Sequence, residues 1–259
     1  SAIFRRNSIF FRPYGGMWRQ ALESFDVMFV QNEESKRLLA GLGFDNVIVA
    51  GDTRFDRVCS IAARAKRLPE IERFAAGRPV FVAGSTWPPD EELLLGMIDR
   101  YRDVKFIVVP HEIDPDRIER LIGRIGRPAL RYTQLTPETD SAEAGVLIVD
   151  TIGILSSLYR YGRWGYIGGG FGAGIHNTLE AAVFGLPLAF GPHYGKFREA
   201  CDLIESGGAE SIADGAQLLE WFDRLYRDPA ATQRAGEACR TYVESHRGAT
   251  RRIVDEICR

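Results

Sequence analysis

Cysteine is scarce in this chain. Cys59, Cys201, Cys239 and Cys258 stand far apart, with no Cys-x-x-Cys pair. Such spacing argues against a zinc site or a disulfide framework and points to a reducing compartment. Long apolar runs are missing as well: none would span a bilayer, and no signal peptide is visible. Neither sign of charge dominates, since 33 Lys and Arg against 35 Asp and Glu leave a net charge of −2. Nothing global therefore suggests nucleic acid as a partner. Repeats and low-complexity tracts are absent. No Ser-His-Asp order, metal-ligand spacing or closely paired carboxylates can be defended. What remains is the composition of a soluble globular protein, 259 residues long. It reads as one large domain or one and a fraction, with enough chain to bury a sizeable core. The chain starts at Ser1 inside what reads as ordered structure, and is expected to be part of a longer protein.

Glycine, by contrast, is concentrated. After the apolar pair Tyr166-Ile167, five glycines fall within the seven residues from Gly168 to Gly174, and Asn177 opens a helical pattern carrying Leu179, Ala182 and Val183 on one face. A strand, a glycine loop and a helix start form a surface where backbone N–H groups approach a ligand without side-chain clash. The partial positive charge of the helix start suits a phosphate or carboxylate. The loop matches neither the Walker pattern nor the dinucleotide fingerprint. A tight turn that merely packs strand on helix is the plainer reading. Three consecutive glycines are costly in chain entropy for that purpose, which favours the site.

The rest of the chain has a regular rhythm. Val27–Val30 and Asn46–Ala50 read as strands around a helix from Asn32, its N-cap, to Leu39. A helix is expected from Met17 to Phe25, and helical pattern runs from Gly51-Asp-Thr-Arg-Phe-Asp56 through Arg73. Beyond Gly77-Arg78-Pro79, strand-like runs fall at 80–83, 106–109, 146–149, 166–167 and 186–190, with weaker ones near Leu130 and at 209–212. Helix-like runs separate them at 91–100, 115–125, 154–161 and 178–184. The tail from Gln217 reads as helical, broken at Asp228-Pro229. Alternating strands and helices predict an α/β fold with a parallel sheet covered on both faces. Ligands of such doubly wound sheets sit beyond the carboxyl ends of the strands. Four segments should therefore converge: Gly84-Ser85-Thr86, Pro110-His111-Glu112, Asp150-Thr-Ile-Gly153 and the glycine loop.

Each candidate in these loops has two readings. Ser85 and Thr86 are hydroxyl donors for a phosphate, or N-caps of the helix entering at Pro88-Pro89-Asp90. His111 contacts a phosphate or base, or is a hydrogen-bonded structural histidine. His176 stands at the mouth of the anion site, where a ligand role is favoured. Glu180 turns back to the Asn177 backbone in a capping box, or offers its carboxylate to the two hydroxyls of a ribose; the second is preferred. Gly191-Pro-His-Tyr-Gly-Lys196 covers the site or is an ordinary turn. At the amino terminus, Arg5, Arg6, Arg12 and Arg19 interleave with Phe4, Phe10, Phe11, Tyr14 and Trp18, without an acid. That pattern fits an anionic membrane surface. It equally fits a helix whose aromatics pack on further protein.

Taken in order, these motifs resemble the carboxyl half of bacterial 3-deoxy-D-manno-octulosonic acid (Kdo) transferases. The resemblance rests on Phe10 to Gly15, Gln31-Asn-Glu-Glu-Ser35, Gly51-Asp-Thr-Arg-Phe-Asp56, Gly84-Ser-Thr86, Asp150-Thr-Ile-Gly153 with Leu158-Tyr159, Gly168-Gly-Gly170, Gly174-Ile-His-Asn-Thr-Leu-Glu180, and Gly191-Pro-His193 with Phe197. It covers the whole chain and implies a two-domain GT-B architecture. Residues 1–57 would be the last segment of the amino-terminal acceptor domain, and 58–259 the Rossmann-like donor-binding domain. The implied donor is CMP-Kdo and the implied acceptor a lipid A precursor at the cytoplasmic face of the inner membrane. Inverting transfer would need no metal and no cofactor, with the general base in the absent amino domain, so no catalytic residue is assigned in this chain. The resemblance puts the CMP phosphate near Gly169, Gly170, Phe171, Gly172, Gly174, His176 and Asn177, and the ribose near Glu180. It gives Ser85, Thr86, His111 and Gly153 as further donor contacts. Arg54 would steady the donor's carboxylate or phosphate, or is a plain surface arginine. Two loops depart from the family's pattern. Pro110-His111-Glu112 stands where Pro-Arg-His is usual, and Gly153-Ile-Leu155 where Gly-Glu-Leu is usual. A variant branch of the family is the preferred explanation. A related enzyme using a UDP-sugar, or a binding module for anionic lipid or sugar, are the alternatives.

Overall fold

The β-branched and aromatic runs of the sequence form nine strands among the described residues, and every strand pair is parallel. The structure is a computed structural model and describes residues 1–258. The chain divides into two compact units.

The first unit comprises Ser1–Ser60 together with the segment from Glu244 on. Strands β1 (Met28–Val30) and β2 (Val47–Val49) pair in parallel, and Ala2 bridges to Val30. The intervening helix, Glu33–Ala40, starts as its sequence expects: the Asn32 side chain accepts from the Ser35 amide at 2.8 Å. Phe4, Leu22, Met28, Val30, Leu39 and Val47 form the core. Phe10 and Phe11 pack edge-on against Phe4, and Arg19 donates to the carbonyls of Phe10 and Arg12. Part of the basic-aromatic segment is thus structural, while Tyr14, Met17 and Trp18 are exposed. Residues 248–250 are held by Asp56, whose carboxylate accepts from the amides of Gly248 and Thr250 at 2.8 Å each. Burial pushes the Asp56 pKa up, but these bonds outweigh it and hold the carboxyl below its usual range.

The second unit, Ile61–Val243, is built on a seven-stranded sheet. Its strands are β3 (Val80–Thr86), β4 (Lys105–Pro110), β5 (Ala129–Arg131), β6 (Val146–Ile148), β7 (Trp164–Ile167), β8 (Leu188–Phe190) and β9 (Ala209–Ser211). Their spatial order is β5-β6-β4-β3-β7-β8-β9. From β3 the chain passes to β4, out to the edge at β5 and back to β6 between them, then crosses to β7 on the other side of β3, so the order reverses between β3 and β7. This is the doubly wound arrangement that the alternating pattern predicts. Phe222, from the helix Gly215–Arg227, meets Phe81 at 5.4 Å and Trp164 at 4.9 Å between ring centroids, in the core of one sheet face.

Helix ends differ from the sequence reading for local reasons. The run expected to continue through Arg73 stops at Ala63 and restarts at Pro69, a residue suited to a first helical turn that keeps Leu68 extended and so the two helices apart. The tail breaks a second time at Gly248, with φ of 104°. The helix after the glycine loop is a single turn, Leu179–Ala182, ended by tighter bonds and by Gly185 at φ 74°.

Lys105 opens β4 and is fully buried. Its ammonium donates to the carbonyls of Ala142 and Ala144 and lies 4.9 Å from the Phe74 ring centroid. Burial, and then the nearby Arg78 and Arg127 charges, push its pKa down to about 8. Between pH about 8 and the unfolded value of 10.5 the unfolded chain holds the extra proton, so folding gains stability as pH rises through that window. Denaturant melts of the native chain and Lys105→Met should therefore diverge with pH. The native chain gains stability relative to the variant from pH about 8 upward; a difference independent of pH would contradict the assignment.

Candidate functional site

The glycine loop leaves β7 at the point where strand order reverses. Its first residues touch the end of β3: Gly168 N–H donates to Gly84 O at 2.9 Å, and a Cβ on Gly168 would lie 2.2 Å from Ser85 O. Gly169 adopts φ 90° and Gly174 φ 137°, conformations that favour glycine. Several loop amides bond within the protein: Gly169 to Asp90, Gly172 and Gly174 to Gly169 O, and His176 to Gly168 O. The amides of Gly170, Phe171, Ala173, Ile175, Asn177 and Thr178 have no partner among the described residues. The loop therefore uses part of its backbone to hold its shape and keeps a second set of donors free.

Asp90 is the residue that organises this corner, and the sequence reading gave it no role beyond the helix start. It is 1% exposed. Its carboxylate accepts from Tyr166 Oη at 2.6 Å, from the Gly169 amide at 2.9 Å and from the Trp87 amide at 2.8 Å. One side chain thus joins β7, the glycine loop and the first turn of the helix Pro88–Arg100. The available signal was an acid three residues after the residue preceding Pro88-Pro89, the spacing at which an N3 acid closes on a helix start. Next to it, Glu91 takes Arg117 at 2.6 Å and the Thr86 hydroxyl at 3.0 Å. Thr86 is consequently fully buried and its hydroxyl is bonded to protein. Ser85 is half-buried, with φ 54° at the bulge between Gly84 and Thr86. A left-handed serine costs about 1 kcal/mol. It turns the strand end outward beside Gly168.

Three aromatic rings gather beyond β3 and β4. Trp87 stacks on His111 at 4.7 Å, His111 on His176 at 4.3 Å, and the Trp87 indole N–H donates to His176 Nε2 at 3.2 Å. His111 is carried there by a bond from its amide to Thr86 O at 2.9 Å. Burial, with His111 adding to it, holds the His176 pKa below the usual histidine range, although the Asp90 charge acts the other way. Beside the rings a pocket of about 390 Å³ is lined by Trp87, Pro89, Asp90, Phe171, His176 and the loop backbone.

At the loop's far end Asn177 and Glu180 meet, as their spacing suggests, but through side chains. Asn177 Nδ2 donates to Glu180 Oε1 at 3.0 Å, while Asn177 Oδ1 accepts from the Leu179 amide. Thr178 is 1% exposed and its hydroxyl has no partner among the described residues. The segment after β8 does lie on the loop: His193 bonds Gly172 O at 2.7 Å and Lys196 bonds Ala173 O at 2.6 Å. Gly153 is exposed at φ 87°, with open space where a Cβ would be. Asp150 before it is occupied structurally by Thr133 and Arg131. Arg54 belongs to the first unit, where its guanidinium pairs with Asp52 at 2.8 Å. Ser85, Trp87, His111, the glycine loop, His176, Asn177 and Glu180 thus lie along one edge of the sheet. No group of three or more His, Cys, Asp or Glu among the described residues is placed to hold a metal ion, and no helix is long and apolar enough to cross a membrane.

No protein-family model matches the chain. It is 28% identical over 256 residues to the 3-deoxy-D-manno-octulosonic acid transferase of Bordetella pertussis, covering 94% of this chain and 58% of that protein. It is 28% identical over 204 residues to the transferase of the same name from Rickettsia felis, covering 76% of this chain and 43% of that protein. The chain thus spans about half the length of these curated relatives. Among solved structures, the C-terminal CMP-Kdo binding domain of WaaA from Acinetobacter baumannii matches with a TM-score of 0.60 at 22% identity, over 72% of this chain and 98% of that one. A UDP-N-acetylglucosamine 2-epimerase matches with a TM-score of 0.61 at 15% identity, over 90% of this chain and 60% of that one. At such identities the likeness is one of fold. The fold is therefore a GT-B-type, doubly wound Rossmann-like sheet, and in sequence the chain is similar to the bacterial 3-deoxy-D-manno-octulosonic acid transferases, as its motifs suggest.

Proposed function

We propose that this chain is the donor-binding part of a glycosyltransferase that moves Kdo from CMP-Kdo to a lipid A precursor in lipopolysaccharide biosynthesis. The observation that carries the reading is the glycine loop at the β3/β7 switch point with six unpaired backbone amides. An array of N–H groups at this place suits a phosphate, because it supplies directed donors without the desolvation cost of a buried cation. Kinship with Kdo transferases supports CMP as the nucleotide. The buried, unpartnered Thr178 hydroxyl is a further polar group awaiting a partner at the loop's end.

In this reading the free amides of Gly170 and Phe171 hold the phosphate with His176 and Asn177, on a loop shaped by Gly169, Gly172 and Gly174, and the Glu180 carboxylate accepts the ribose hydroxyls. Asn177 already holds Glu180 from one side, which limits its rotamers before ligand arrives. Ser85, His111 and Gly153 border the donor, while Thr86 acts from beneath by fixing Glu91. Residues 1–57 are read as the last segment of the acceptor domain and the chain from 58 on as the donor domain, with the segment from Glu244 on packing in the first unit. Transfer is inverting and needs no metal, with its general base outside this chain. The chain alone therefore binds donor without turnover. The exposed Tyr14, Met17 and Trp18 among arginines suit a place at the cytoplasmic face of the inner membrane.

Calorimetric titration tests the reading. CMP should bind and UMP should bind more weakly. Glu180→Ala should weaken CMP about 10-fold or more, as expected for a lost hydrogen bond to a charged group. UMP binding in preference to CMP would favour a UDP-sugar enzyme. Sugar transfer by this chain alone would overturn the assignment of the base elsewhere.

A further inference from the structure

Trp87 follows the strand end Gly84-Ser85-Thr86 directly, and nothing in the loop chemistry above requires an indole there. Its geometry gives it one. The indole N–H can only donate, so the nitrogen it meets must present a lone pair. That nitrogen is His176 Nε2, at 3.2 Å. A neutral imidazole with a bare Nε2 carries its proton on Nδ1. Protonation of Nε2 would set two N–H groups head to head.

The ring has little freedom to escape this contact. His176 is tied by its amide to Gly168 O, and its Cδ2–Nε2 edge packs over Gly169, where a Cβ would lie 3.1 to 3.3 Å from it. His111 stacks on it at 4.3 Å with 28° between planes, and Trp87 stacks on His111 in turn at 26°. The charged groups near this cluster come from three elements. Asp90 on the helix Pro88–Arg100 favours a cation, His111 after β4 opposes one, and His193 and Lys196 after β8 are bonded to loop carbonyls.

We propose that Trp87 is a positioning residue: its indole N–H fixes the Nδ1–H tautomer of His176, so that this histidine meets an anionic ligand as a neutral hydrogen-bond donor and not as a cation. The ligand half of the inference rests on the reading of the loop as a nucleotide-donor site; the tautomer half does not. A neutral donor suits a group that must both hold a phosphate and release it, because a single uncharged hydrogen bond binds less tightly than an ion pair.

The test is long-range proton–nitrogen correlation NMR on the full chain with labelled histidine, the four histidines being distinguished by His176→Gln. The native chain should show His176 protonated at Nδ1, with a bare Nε2. Trp87→Phe keeps a ring for His111 to stack on and removes the donor. The Nε2–H tautomer should then appear and His176 should titrate at higher pH, changes that a merely structural tryptophan would not produce. A native His176 protonated at Nε2 overturns the proposal, and this single spectrum decides even if the variant fails to fold. An unchanged tautomer and titration in a folded Trp87→Phe overturns it too. Addition of CMP should shift the Nδ1–H resonance without proton uptake at His176; uptake overturns the neutral-donor role. With the Nδ1–H tautomer in place, a chain that does not bind CMP sinks the donor-site reading and supports the Trp87 assignment alone.

Discussion

Asp90→Ala should lower stability by about 3–5 kcal/mol, the cost of breaking a buried, multiply bonded carboxylate contact. The carboxylate accepts three hydrogen bonds from three pieces of structure. Alanine would leave the Gly169 amide and the Tyr166 hydroxyl buried without acceptors, each worth about 1–3 kcal/mol. For a domain of this size the melting temperature should fall by roughly 10 °C. Asp90→Asn should be much milder. Its amide can turn so that the oxygen accepts from both backbone N–H groups while Nδ2 donates to the Tyr166 oxygen, which accepts as well as donates. Thermal melts of the two variants separate these cases. Equal losses for Ala and Asn would show that the negative charge matters and the bond count does not. Ligand affinity should follow the same order, because Gly169 is released when its acceptor is lost.

A comparable loss is expected from one added methyl group at Gly168 or Gly170, and almost none at Gly172. A Cβ on Gly168 would stand 2.2 Å from Ser85 O and 2.7 Å from Thr86 Cα. On Gly170 it would stand 2.6 Å from both the amide nitrogen and Cα of Gly191. These neighbours are backbone and cannot turn away as a side chain would. The loop must separate from β3 in one case and from the segment after β8 in the other. Gly168→Ala and Gly170→Ala should each cost about 3 kcal/mol or more, at or above the usual penalty of overpacking. At Gly172 the nearest atom would be 3.7 Å away, an ordinary contact. Gly172→Ala should change stability by no more than about 0.5 kcal/mol. Denaturant melts of the three variants test this, and a uniform response would mean that the glycines serve chain flexibility and not close approach.

Much of this site was legible in order along the chain. The glycine run, the strand before it and the proximity of Asn177 to Glu180 follow from local spacing. The parallel sheet followed from alternating apolar runs, since strands buried on both faces must be nearly continuous in hydrophobic residues. The helix start at Asn32 was equally local, because a cap acts over three residues.

Contacts between distant residues were not legible. Trp87 and His176 are 89 positions apart, and Asp90 and Gly169 are 79 apart. Nothing local distinguishes Asp90 from any acid in a first helical turn, or Thr86 as a ligand donor from Thr86 as a partner of Glu91. The amino-acid order settled which segments become strands, where the loop lies and which side chains it carries, because hydrophobic period and backbone conformation are properties of neighbouring residues. Folding settled which amides remain free, which ring nitrogen holds a proton and which carboxylate binds the corner together. Those depend on what the sheet brings to one edge, and strand order alone decides that.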